Sequence, residues 1–170
     1  MSRKILIAGF EGEKNSSKIL LDKIPPLVRV DELYLTNDFD ISVEQLIERL
    51  KKHNYDSVFL FGSKPLAKKL YIETTGKNGR RKFHTNDDYS DIKAHLKSEN
   101  HGVEVSTDAG TYLCNNLYYH GLKHVEENQL DTEMLFIHLP SLQNIPDFDD
   151  LAEDIEDYLV ELSKRSQNEH

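Results

Sequence analysis

This sequence is short of cysteine, of basic residues and of long apolar stretches, and each shortage excludes something. One cysteine in 170 residues cannot form an intramolecular disulfide, so the stapling used by small secreted domains is ruled out and a reducing cytoplasm is the expected setting. Lys and Arg number 21 against 30 Asp and Glu, a formal net charge of −9. That balance argues against a nucleic-acid partner, because phosphate binding needs clustered cations. The one basic cluster, residues 77–82, reads as a solvated turn between strands. No apolar run approaches the roughly 20 residues of a membrane span, so no membrane partner is expected. The run at 5–10 is too short for a signal peptide and meets Glu11 at once. Repeats and low-complexity segments are missing too.

What is present is a pattern of alternating strands and helices. Residues 4–9, 56–61 and 133–138 are short runs rich in Ile, Leu, Val and Phe, the form of buried strands in an α/β sheet. Weaker strands are read at 28–35, 69–74 and 103–106. Helices are read at 17–23, 43–50 and 92–96, after Cys114, and at 151–162. The expected fold is one α/β domain over 1–170, an open twisted sheet, mostly parallel or mixed, with helices on both faces and a frayed tail at 163–170. At this length a single domain buries about two thirds of its unfolded surface.

The chemistry centres on Cys114, placed where an extended segment turns into a helix. Unpaired N–H groups and the positive end of the helix dipole at such a start favour thiolate over thiol. The bland alternative is an inert buried thiol, since free cysteine is among the most buried residue types. His138 interrupts the apolar strand Met134-Leu135-Phe136-Ile137-His138-Leu139, and Pro140 ends it. A core histidine satisfied by a carbonyl is its bland reading, yet a buried polar ring needs partners that an aliphatic residue would not. The two residues are far enough apart for a helix and a return strand, the layout of a Cys-His nucleophilic pair. The helix start at Cys114 would also supply backbone donors to an oxyanion. His120 and His124 stand four apart on that helix, but no Glu of a His-Glu-x-x-His motif accompanies them and no metal site is expected.

Ser106, Ala109-Gly110-Thr111 and Cys114-Asn115, followed by Phe136-Ile137-His138 and Pro140, resemble the pyroglutamyl peptidase (pyrrolidone-carboxylate peptidase) family of cysteine peptidases, with weaker agreement at Gly9-Phe10-Glu11. The resemblance implies a cysteine peptidase or amidase that hydrolyses the N-terminal amide of a small peptide through a thioester and without a cofactor. It implies Glu73 as the residue that orients His138; as a bare strand residue Glu73 also reads as an exposed edge carboxylate. It implies Phe10, Asn15, Tyr112 and Leu113 as substrate contacts. Family members often assemble as homo-oligomers, and that state is left open here.

The sequence also departs from the family pattern. Phe10 is followed by Glu11-Gly12-Glu13-Lys14-Asn15, without the family's second phenylalanine and glycine pair. Ser63 and Ala67 stand at the family's Gln and Arg positions, and the segment between Glu73 and Cys114 is shorter than usual. These departures leave a second reading, a binding or regulatory protein that keeps the scaffold without the activity.

Overall fold

The computed structural model describes residues 2–166. Six strands form the main sheet: β1 (Ile5–Phe10), β2 (Val30–Leu35), β3 (Ser57–Ser63), β4 (Leu70–Glu73), β7 (Val103–Ser106) and β8 (Glu133–Leu139), in the order β2-β1-β3-β8-β4-β7. The first four in that order run parallel, while β4 is antiparallel to β8 and parallel to β7, so the sheet is mixed. A separate hairpin, β5 (Thr75–Asn78) and β6 (Arg81–His84), leaves the sheet directly after β4. The basic segment 77–82 is therefore mostly hairpin strand, with its turn at Gly79.

Five helices cover the sheet: α1 (Ser16–Lys23), α2 (Phe39–Lys52), α3 (Ser90–Ser98), α4 (Leu113–Glu127) and α5 (Phe148–Lys164). Successive side chains of a strand point to opposite faces, and here the alternation divides the core in two. Ile5, Ile7, Phe59, Phe61, Leu135 and Ile137 pack against α1, α3 and α5. Leu6, Ala8, Val58, Leu60, Met134 and Phe136 pack against α2 and α4. Strands covered on both sides have no polar face, which is why β1, β3 and β8 read as unbroken apolar runs. Each fully buried side chain of this kind contributes about 1.5–3 kcal/mol.

The helix starts differ in a way that bears on chemistry. Asn15 caps α1 by accepting from Ser17 N at 2.9 Å, Asp38 caps α2 by accepting from Asp40 N and Ile41 N at 2.9 and 2.8 Å, and Asp147 caps α5 by accepting from Asp150 N at 3.0 Å. Helix α4 begins at Leu113, and Tyr112 before it makes no side-chain cap hydrogen bond. At the other end of the chain, α5 stays helical through Lys164, and the Arg3 N–H donates to the Ser163 carbonyl. Fraying expected from 163 thus does not begin there; positions 167–170 lie outside the described residues.

Candidate active site

Ligands of open α/β sheets bind beyond the carboxyl ends of the strands, beside the point where the strand order reverses. Here that point lies between β1 and β3, and the neighbouring ends carry Phe10, Gly62 and His138. Gly62 and His138 are register partners on β3 and β8. His138 shares the α4-facing side of β8 with Phe136, whose ring lies 4.9 Å from the imidazole. On β4, Tyr71 pairs with His138 and Glu73 with Phe136. Glu73, in the last position of its strand, therefore reaches the imidazole from the adjacent strand.

The contact is direct. His138 Nδ1 and Glu73 Oε2 are 2.8 Å apart, with the histidine 5% and the glutamate 0% exposed. An ionised carboxylate only accepts, so Nδ1 then carries the proton and Nε2 is left as the acceptor. The second carboxylate oxygen, Oε1, is buried without a hydrogen-bond partner. Tyr118 donates its hydroxyl to the Glu73 carbonyl at 2.8 Å, which ties the end of β4 to α4. Glu73 is a core residue of the site, and its reading as an exposed edge carboxylate is excluded.

Cys114 is the second residue of α4 and is partly exposed. Its sulfur sits over Gly62: a Cβ built there would lie 2.5 Å from Cys114 Sγ and 2.7 Å from Phe136 Cζ. Only a glycine lets the thiol stand at that place, next to the backbone partner of His138. No hydrogen bond joins thiol and imidazole in this resting arrangement. The first backbone bond of the helix runs from Asn116 N to Tyr112 O at 3.0 Å. Among the described residues none accepts from the N–H groups of Leu113, Cys114 and Asn115, so the helix start keeps three donors at the residues on and around Cys114.

The surroundings of Cys114 act on its ionisation. Burial pushes the thiol up to about 12, and the negative charge of Glu73 adds to the shift. Both act against the thiolate that the helix start favours.

The other predicted contacts divide. Phe10 is 2% exposed and belongs to the apolar cluster against which Leu113 and Cys114 pack. Tyr112 is 71% exposed, set edge-on to Phe39 with ring centres 5.4 Å apart. Asn15 is engaged at the start of α1, its Oδ1 accepting from both Ser17 N and Ser17 Oγ. Gly62, Phe136 and Tyr118 were not singled out for these roles from sequence.

His101, Asp150 and Asp154 bring ligand atoms within 4.8 Å of one another, the one such group among the described residues that could hold a metal. His101 Nε2 and Asp154 Oδ2 already satisfy each other at 2.6 Å, and α5 lies across the sheet from Cys114. Part-buried His120 and His124, whose proton affinities burial lowers, do not join it.

Comparison with known proteins places this arrangement. The sequence profile described as Pyroglutamyl peptidase matches residues 67–153, just over half of the chain and the part that holds Glu73, Cys114 and His138. Pyrrolidone-carboxylate peptidase 1 of Caldanaerobacter subterraneus subsp. tengcongensis is 27% identical over 168 residues, covering 82% of this chain and 83% of the relative. A pyrrolidone-carboxylate peptidase of Oceanobacillus iheyensis is 40% identical over 66 residues, 34% of this chain and 33% of its own. The fold matches pyroglutamyl peptidase I of Bacillus amyloliquefaciens with a TM-score of 0.84 at 18% identity, covering 99% of this chain and 100% of that one. It also matches the pyrrolidone carboxyl peptidase of Fervidobacterium islandicum AW-1 with a TM-score of 0.82 at 22% identity, covering 94% and 98%. The profile match carries more than the fold, and by it the chain belongs to the pyroglutamyl peptidase family.

Proposed function

We propose that this protein is a cysteine peptidase or amidase that hydrolyses the N-terminal amide of a small peptide, with Cys114 as nucleophile, His138 as proton shuttle and Glu73 as the group that orients His138. One observation supports this above the others: a fully buried Glu73–His138 pair, 2.8 Å apart, stands beside a glycine over which the chain's sole thiol is seated. A buried carboxylate paired with imidazole at the end of an apolar strand is costly to the fold and has a clear use at a nucleophile.

As Cys114 Sγ attacks the amide carbonyl, its proton passes to His138 Nε2, and Glu73 stabilises the resulting imidazolium. The carbonyl oxygen takes up negative charge and meets the free N–H groups of Leu113, Cys114 and Asn115. Collapse breaks the C–N bond, His138 returns the proton to the leaving amine, and a thioester remains. Water, giving its proton to His138, then hydrolyses the thioester to acid and free thiol. The raised thiol pKa fits this order, in which deprotonation accompanies attack. Phe10 and Leu113 provide an apolar wall.

No helix of the described residues is long and apolar enough to cross a membrane. With a single reactive thiol, a reducing cytoplasm is the proposed setting. The test is hydrolysis of a panel of N-terminal aminoacyl amides, with thiol alkylation run in parallel. Thiol-dependent turnover supports the reading; a thiol that labels only after denaturation, with no turnover, opposes it.

A further inference from the structure

Cys114 and Glu73 lie on different elements, and a second connection between those elements bypasses the sheet. The hairpin β5–β6 begins two residues after Glu73 and packs on α4. Asn115, the residue after the nucleophile, is 8% exposed and turned toward that hairpin. Its Oδ1 accepts from Lys77 N at 2.9 Å and its Nδ2 donates to Lys77 O at 2.9 Å. One side chain thus holds both polar groups of one residue, four positions after Glu73. The joint is close along its length: a Cβ at Gly76 would lie 2.5 Å from Tyr119 N, and Phe83 meets the Tyr119 ring at 5.3 Å. The base of the hairpin is closed by Thr85 N donating to Thr74 O at 2.8 Å.

We infer that Asn115 is a positioning residue, which grips the Lys77 backbone from both sides and so sets where Cys114 stands relative to Glu73 and His138. The inference rests on the proposed role of Cys114 as nucleophile. A polar side chain at the third residue of a helix can reach back to the N–H of the residue that precedes the helix. Here it is turned instead to the Lys77 backbone. A path of connections then runs from Cys114 to His138: Cys114 to Asn115 by the chain, Asn115 to Lys77 by two hydrogen bonds, Lys77 to Glu73 by the chain, Glu73 to His138 by a third hydrogen bond. Removing the grip lets the start of α4 shift, and a misplacement of about 1 Å at a reacting atom costs on the order of 100-fold in rate.

The test compares wild-type protein with Asn115→Ala and with Gly76→Ala, which forces the same joint from the other side with Asn115 intact. Folding is checked by circular dichroism, kcat and KM are measured on the best amide of the panel, and the single thiol is alkylated with iodoacetamide across pH. Either variant should lower kcat by about 10- to 100-fold with KM within about threefold. The midpoint of alkylation should move down toward the ordinary thiol value as the sulfur leaves its seat over Gly62, a change that lost stability alone does not produce. If Asn115→Ala does not fold, Gly76→Ala carries the comparison. A folded variant with wild-type kcat and a wild-type alkylation profile overturns the inference. Wild-type protein that turns over no amide, with a thiol that labels only on unfolding, defeats the nucleophile reading and the inference with it.

Discussion

Replacing Gly62 by alanine adds one methyl group, and the structure says where it goes. The new carbon would lie 2.5 Å from Cys114 Sγ and 2.7 Å from Phe136 Cζ, where ordinary contacts are about 3.5–4.0 Å. Something must yield by about 1 Å. The Phe136 ring is fully buried, so the start of α4 is the freer party, and the thiol moves off its seat over β3. Overpacking of this kind costs about 1–3 kcal/mol, which lowers Tm by roughly 3–10 °C in a domain of this size. The effect on turnover should be larger in proportion: about 100-fold or more in kcat/KM, because the displaced atom is the proposed nucleophile. Tm from calorimetry, kcat/KM on the amide panel and the iodoacetamide rate, measured on one preparation, separate the two effects. Gly62→Ala with wild-type turnover and wild-type Tm would refute the placement of the thiol over β3 and the geometric case built on it.

Glu73→Gln keeps the side chain's size but removes the charge that supports the imidazolium; kcat should fall by about 100-fold or more with KM little changed, and unaltered kinetics would remove Glu73 from the machinery. Asp87 is raised from 3.8 to about 7 by burial, with the charges of Glu133, Asp88 and Asp91 adding and Arg3 opposing. Between those values the folded protein holds a proton that the unfolded chain has lost. Stability is then fully present below about pH 4 and falls as pH rises toward 7, by at most about 1.4 kcal/mol per unit and less with the remaining solvent access. Asp87→Asn should flatten that slope and stabilise the protein at pH 8 in chemical denaturation; an unchanged slope contradicts the assignment. A pyroglutamyl-amide reporter should be cleaved poorly, because Ser63 and the buried Ala67 offer a lactam ring neither the amide partner nor the cation of the family pattern. A kcat/KM of about 10⁴ M⁻¹s⁻¹ or above on that reporter would show that other residues supply them.

The strands that carry the site were legible because each is buried on both faces. β1, β3 and β8 could only be apolar, and a histidine within such a run stood out. Cys114 stood out as the sole thiol, at a turn into a helix. Glu73 was reached only by resemblance: β4 has four residues, too few for a period to show, and whether its carboxylate is exposed depends on β8, a strand some 60 positions away. The charged segment 77–82 reads as solvated from composition, and hydrogen bonds from Asn115 are what bind its first residue to α4. What opposes a thiolate at Cys114 was hidden for a similar reason. A helix start is visible in sequence, whereas the burial that acts against it is created by Gly62 and Phe136 from two other strands. Asn15, a candidate substrate contact, serves a local purpose that the sequence equally allowed, as the cap of α1 before Ser16 and Ser17.

The central claim is that Cys114 carries out amide hydrolysis, and the direct measurement is turnover of the N-terminal aminoacyl-amide panel by wild-type protein and by Cys114→Ser, purified side by side and matched for folding by circular dichroism. The account predicts turnover in the wild type that iodoacetamide abolishes, and loss of that turnover in Cys114→Ser with Tm nearly unchanged. Hydrolysis that persists in Cys114→Ser at the wild-type rate, with contaminating peptidase excluded, would contradict it.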